Sequence, residues 1–234
     1  MDRAVVTAGR CSAVESGARM ELVKQVFERQ ILPAGTAVRD ARFVQCAFLD
    51  CACNPSAFSS VENSVFERTR LKSKLVTNIA LRQVTIDTCK GNPMFRLTNG
   101  LFDRVTLRGD FGAWMITQLP EFLPAAQAGF AVRFYDTVDW ALDISQARFK
   151  NLTLRGVPAD KVRRDPERQA AVRKDRLLAD PSWRDDPDAG LVAVLKATLD
   201  RPAEGEILSI NDLSTNADRW RERLRRLRAA GLVD

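Results

Sequence analysis

The chain has 234 residues and contains no histidine, so cysteines, carboxylates and arginines carry most of its chemical potential. Without an imidazole there is no Ser-His-Asp or Cys-His couple and no histidine ligand for a metal. Cys46, Cys51 and Cys53 lie close together, spaced C-x4-C-x-C, which fits no common zinc pattern. They read as small buried hydrophobes, and neither a metal nor a cofactor is expected. The cysteines number five, an odd count that argues against a disulfide framework. Carboxylates are numerous but form no recurring Asp-Asp or Asp-x-Arg set. The glycines form no phosphate-cradling loop. A catalytic role is therefore not expected.

Arginines cluster near the end of the chain, at Arg219, Arg221, Arg223, Arg225, Arg226 and Arg228. Presented on one helix, Arg221, Arg225 and Arg228 are candidates for contact with phosphates and base edges of a nucleic acid. The alternative is a solvated face, or one docked on the rest of the chain, on which Asp218 and Glu222 pair with their arginine neighbours. A smaller cluster of Lys161, Arg163, Arg164 and Arg168 at a helix start is read as pairing with Asp165 and Glu167, with an anion site as the alternative. The net charge of +6 is spread out, with no long basic run. It permits a polyanionic partner without requiring one.

The elements that would position these residues follow from a repeat. Val38, Phe43, Phe48, Cys53 and Phe58 are five apart, as are Phe66, Leu71, Val76, Leu81 and Ile86. Leu97, Phe102 and Leu107 resume the spacing, and so do Ile144, Phe149 and Leu154. Neither a helix nor a flat strand sustains a period of five. Two residues before each large one stands a smaller one, among them Thr36, Ala41, Cys46, Cys51, Ser56, Ser64 and Thr69. A coil turning a corner every five residues needs that pair: one large residue for the axis and one small residue for the crowded wall.

This pattern resembles the pentapeptide-repeat family. The resemblance implies a right-handed quadrilateral parallel β-helix, a mainly β solenoid with a small helical C-terminal region. It departs from the family where Asp or Asn often precedes the large residue; here those positions hold Arg42, Ala47, Ala52, Ala57, Val65 and Arg70. Some members of the family protect topoisomerases by mimicking DNA, which needs a dense negative wall, and this solenoid is net positive.

The expected organisation has three parts. Residues 1–35 form an N-terminal segment with a short helical cap, because Leu22, Val23, Val26, Phe27 and Ile31 fit helical spacing; the spacing of Phe27 and Leu32 also allows a first, irregular coil. Residues 36–156 form the solenoid, interrupted at about 110–140 by an aromatic-rich insertion. Trp114, Tyr135 and Trp140 are candidates there for a protein-partner site, or else for plugging the core.

Residues 157–234 are read as helical. One helix begins at Asp165-Pro166-Glu167 and runs to about Ala179. A second follows Asp186-Pro187, with Leu191, Val194, Leu195, Thr198 and Leu199 on one face. Ile207, Leu208 and Ile210 make a strand or turn. The last helix begins near Ser214, buries Trp220, Leu224 and Leu227, and closes at Gly231. The run RERLRRLRAAGLVD resembles the recognition helix of winged-helix DNA-binding domains, although the chain stops where the wing strands would start.

The expected function is a non-enzymatic protein-binding module, with a protein partner and a homodimer both compatible. Nucleic-acid binding is the alternative, and a carbohydrate-active β-helix enzyme the third reading. No apolar run is long enough to span a bilayer, and the first twenty residues lack the apolar block of a signal peptide, so a cytoplasmic setting without membrane attachment is expected.

Overall fold

The five-residue spacing is realised as a parallel solenoid of about six turns. The computed structural model describes residues 20–72, 76–91, 94–119, 123, 129–130, 133–199, 205–209, 213 and 215–234. Val65 pairs in parallel with Thr85, and Thr85 with Thr106, so one turn takes 20 or 21 residues. At five residues a side, that length makes four walls.

The first turn is β1 (Met20–Val23), β2 (Val26–Glu28), β3 (Ile31–Leu32) and β4 (Ala37–Arg39). The second is β5 (Ala41–Val44), β6 (Ala47–Leu49), β7 (Ala52–Cys53) and β8 (Ser59–Glu62). Higher strands run on around the corners: β9 (Val65–Lys72), β10 (Val76–Arg82), β11 (Thr85–Gly91), β12 (Phe95–Asp103), β13 (Val105–Thr117) and β14 (Leu142–Leu154). The last layer on the first wall is β15 (Val162–Arg163), paired with Leu142 and Asp143.

Corners are made by the left-handed backbone. Lys24, Arg29, Gly35, Asp40, Gln45 and Asp50 follow one another at intervals of five or six residues with φ of 52–71°. Asn63, Arg68, Asn78, Gln83, Thr88, Asn99 and Arg104 continue the series. This conformation costs a non-glycine residue about 1–2 kcal/mol, least for Asn and Asp. Hydrogen bonds to the next turn offset it: Lys24 N–H donates to Val44 O and Arg29 N–H to Leu49 O, both at 2.8 Å.

The large residue of each repeat stacks on its equivalents along the axis. Leu22, Phe43, Phe66, Ile86 and Leu107 share one ladder, and Val38, Val61, Leu81 and Phe102 another. Phe43 stacks on Phe66 with centroids 4.7 Å apart, and Phe27 on Phe48 at 4.9 Å. These spacings match the ~4.8 Å between paired strands. The small residue of each repeat also serves the corner. Cys46 Sγ donates to Leu22 O at 3.3 Å, Cys51 Sγ to Phe27 O at 3.3 Å, and Ser64 Oγ to Glu62 O at 2.7 Å. A small side chain with one donor fits the wall and satisfies a corner carbonyl.

The turn from Val105 to Leu142 takes 37 residues because a segment is inserted before its fourth wall. In that segment Phe134–Thr137 is a short 3-10 helix. Phe130 packs edge-on against Phe58 and Phe134. The insertion is narrower than the sequence reading of 110–140, since residues up to Thr117 belong to β13. The period falters earlier only because β13 and β14 carry bulges near Gly109, which has φ +82°.

The N-terminal helical cap is corrected: residues 20–32 form the first coil. The 3.6-residue match of Leu22, Val23, Val26, Phe27 and Ile31 is overridden by pairing with the second turn, where Phe27 meets Phe48 and Leu32 meets Cys53. Residues 1–19 lie outside the described residues. The solenoid therefore begins before position 36 and extends past Gly156 to β15.

Beyond β15 the expected first helix is also corrected. Asp165 caps a turn, accepting from Glu167 N–H, and β16 (Gln169–Arg173) follows. Its residues Gln169–Val172 are all buried, and it pairs antiparallel with β17 (Gly205–Ser209), which suits a strand and not an amphipathic helix. Helix α1 (Lys174–Ala179) starts only afterwards. Helix α2 (Ala189–Leu199) begins after Asp188 and buries Leu191, Leu195 and Thr198. Helix α3 (Ala217–Ala229) buries Leu224 and Leu227, with Trp220 half-buried. Gly231, at φ +70°, terminates it, and Leu232 N–H donates back to Leu227 O. Ser214 and Ile210 lie outside the described residues. Ala170, Val172, Leu177, Trp183 and the apolar faces of α2 and α3 form a second core beside that of the solenoid.

Candidate functional site

The arginines of α3 are largely committed within the chain. Arg223 is buried and makes two bonds to the Asp188 carboxylate, at 2.6 and 2.7 Å. Arg219 reaches the same carboxylate at 3.1 Å, and Arg226 grips Asp186 at 2.8 and 2.9 Å. Asp188 meanwhile accepts from Gly190 and Leu191 N–H, capping α2. Arg228 donates to the carbonyls of Pro166 and Gln169. Of the three arginines proposed for nucleic acid, Arg221 and Arg225 remain on the exposed side. They bond Asp218 and Glu222 on the same helix, which dilutes their charge. Arg228 holds α3 against the turn before β16. In the second basic cluster, Arg168 pairs with Asp165, whereas Arg164 pairs with Asp234.

The proposed aromatic site separates in the same way. Trp114 and Tyr135 are buried in the solenoid core, at 3% and 8% exposure. Trp114 packs against Phe95 and Phe111, and Tyr135 edge-on against Phe134. Trp140 is half-buried, with the Arg163 guanidinium 4.2 Å from its ring centre. The three do not form one surface.

The outer walls carry ion pairs that alternate in sign along the axis. Arg42 bridges Glu21 and Glu67 at 2.8 and 2.9 Å, and Glu62 bridges Arg39 and Arg82 at 2.9 and 3.7 Å. Each exposed pair contributes at most about 1 kcal/mol. These pairs neutralise their own members without forming the dense negative wall that a DNA mimic needs.

Two features sequence reading missed lie at the first turn. The first is a free strand edge: no strand is stacked on the outer side of β1–β3 among the described residues. Apolar side chains surround it, with Val23, Val26 and Ile31 at 46%, 44% and 62% exposure. Gln25 and Gln30 each turn a side-chain amide onto the carbonyl two residues back, Val23 O and Glu28 O. The carbonyls are thus partly satisfied, and no other strand covers the edge among the described residues.

The second is a cavity of about 250 Å³ along the solenoid axis, reaching from Met20, Leu22 and Ile31 to Trp114. Its cause is legible in the repeat. Two walls fill their large positions with Phe27, Phe48, Phe43 and Phe66, whereas the others hold Cys53, Val61 and Val76.

Cys46, Cys53 and Cys89 are buried, Cys51 is half-buried, and all four are unpaired thiols. Burial raises their pKa, pushing Cys53 and Cys89 up to about 11. Among the described residues no group of three or more Cys, Asp or Glu side chains is arranged to hold a metal. Cys53 and Cys89 are expected to resist iodoacetamide at pH 8 in the folded protein and to label at the rate of free thiols in urea, read by peptide mass spectrometry. Fast native labelling at both would contradict their burial.

No helix among the described residues is long and apolar enough to cross a membrane. No protein-family model, characterised protein or solved structure matches the chain.

Proposed function

We propose that the chain is a divergent pentapeptide-repeat solenoid acting as a non-enzymatic protein-binding module, with its partner docking on the open first turn. The observation that carries this reading is the edge of β1–β3, unpaired on its outer side among the described residues and flanked by exposed Val23, Val26 and Ile31. An unpaired parallel edge gives main-chain hydrogen bonds to an added strand, and the three apolar side chains give it buried area. The self-paired charges on the outer walls and the absence of histidine fit a binding role better than a catalytic one. The unpaired thiols suit a reducing, cytoplasmic setting.

The test is a nuclease-treated pull-down with the wild-type chain, the double variant Val26→Lys Ile31→Lys, and the double variant Arg221→Glu Arg225→Glu. A stoichiometric protein retained by the wild type and the arginine variant, and lost from the edge variant, is expected. A partner that disappears with nuclease, or with the arginine variant alone, would move the reading to nucleic acid. Light scattering on the purified chain shows whether that partner is a second copy.

A further inference from the structure

We propose that the first turn associates head to head with a second copy of this chain, across a two-fold axis at Val26. This rests on the reading of the β1–β3 edge as a docking surface, and it names the occupant. From Met20 to Leu32 the burial of the side chains reads the same in both directions about Val26. Positions 20, 22, 25, 27, 30 and 32 are buried or half-buried, and the rest are exposed. A second copy turned about Val26 runs antiparallel to the first and sets every inward position over an inward position. Such a contact is isologous, so each residue pair occurs twice.

In that register the exposed residues match by charge. Lys24 meets Glu28 of the second copy, Glu28 meets Lys24, and Val26 meets Val26. Val23 faces the stem of Arg29 and Glu21 faces Ile31, so no like charges are directly opposed. Within the chain, Lys24 and Glu28 stack on the uncharged Gln45 and Leu49. Neither forms an ion pair among the described residues, whereas Arg42 and Glu62 are paired along the axis. The interior argues for a second solenoid end over a lone strand. Met20, Leu22 and Leu32 are only half-buried, while their equivalents one turn on, Ala41, Phe43 and Cys53, are buried. A single added strand covers one wall, but a second first turn covers the interior as well. One coil end presents fewer residues than the ~20–30 a side of a stable interface, so association is reversible and the dilute chain keeps its edge open.

Sedimentation velocity on the purified full chain tests this. A monomer–dimer equilibrium is expected, monomeric near ~1 µM and dimeric near ~500 µM, as for a contact of this size. Lys24→Glu and Glu28→Lys each place like charges opposite one another twice, and each should weaken association at least about tenfold. Mixed in equal amounts, the two variants regain both opposite-charge pairs, and a dimer of one with the other should return. A wild type that is monomeric throughout, single variants that associate like the wild type, or a mixture that stays monomeric overturns the proposal. Folding is checked by circular dichroism. Should either variant misfold, Val26→Lys, which opposes itself across the axis, takes its place and should be monomeric; its association like the wild type is equally contrary. A monomeric wild type whose edge still retains a different protein in the pull-down overturns the second copy alone. A monomeric wild type with no protein lost from the edge variant overturns the docking surface too.

Discussion

Replacing Asp188 with alanine is expected to destabilise the C-terminal region by about 3–5 kcal/mol, the cost of leaving a buried charge without its partner. The substitution strands Arg223, which is 8% exposed, and removes the cap from Gly190 and Leu191 N–H at the start of α2. Urea unfolding followed by tryptophan fluorescence would read the loss, because Trp183 and Trp220 lie in or beside that core. Adding Arg223→Met should restore part of it, since the second change removes the uncompensated charge. A loss below about 1 kcal/mol would mean that the pair is not desolvated.

The same carboxylate sets a pH dependence. The Arg223 guanidinium beside it holds Asp188 well below the ordinary carboxylate range. A depressed folded pKa means that the contribution is complete above the unfolded value of about 3.9 and is lost as pH falls below it. Asp188→Asn should flatten stability between about pH 4 and 2 relative to the wild type.

The second large effect is expected at Asn99. Asn78 and Asn99 occupy successive turns of one corner and are 4% and 3% exposed. Asn78 Nδ2 donates to Pro55 O at 2.7 Å, Asn99 Nδ2 to Asn78 Oδ1 at 3.2 Å, and Leu119 N–H to Asn99 Oδ1 at 2.7 Å. Asn99→Leu leaves Asn78 Oδ1 and Leu119 N–H buried without partners, at about 1–3 kcal/mol each. It also places a bulky residue at φ +55°, for about 1–2 kcal/mol more. A total loss of about 4 kcal/mol is expected. Asn99→Gly keeps the corner geometry and should lose about half as much. Equal losses in the two variants would show that backbone strain contributes nothing there.

The walls of the solenoid were legible because the period of five is imposed by burial, which acts on residue type directly. The corners were not. Lys24, Arg29, Gln45, Arg68, Gln83 and Arg104 adopt the left-handed conformation without being glycine or asparagine, held there by pairing with the next turn. Gly35, Asp40, Asp50, Asn63, Asn78 and Asn99 carry a local signal, and it becomes readable once the period is known.

The N-terminal helix was misread because Leu22 to Ile31 satisfy two periods at once, and only contact with the second turn decides between them. Asp165-Pro166-Glu167 begins a turn as readily as a helix, and the strand after it is fixed by β17, which lies far along the chain. Whether the arginine row of α3 was solvated, docked or open to a nucleic acid stayed undecided in the sequence because its partners, Asp186 and Asp188, are some thirty to forty residues earlier. The pair Asp186-x-Asp188 just before a helix was the available signal. Trp114 and Tyr135 sat in an irregular stretch whose period could not say which way they pointed. The thin packing at Cys53, Val61 and Val76 was visible residue by residue, but the void they leave appears only when the turns are stacked.

The account rests on an open first turn, and residue-resolved amide hydrogen exchange on the isolated chain tests it most directly. Protection within residues 20–32 should be confined to amides that donate to the second turn, Lys24 and Arg29 among them, with the intervening amides exchanging freely. Unbroken protection of consecutive amides from Val23 to Phe27 would contradict it, since a helix or a covered edge gives that pattern and an open parallel edge does not.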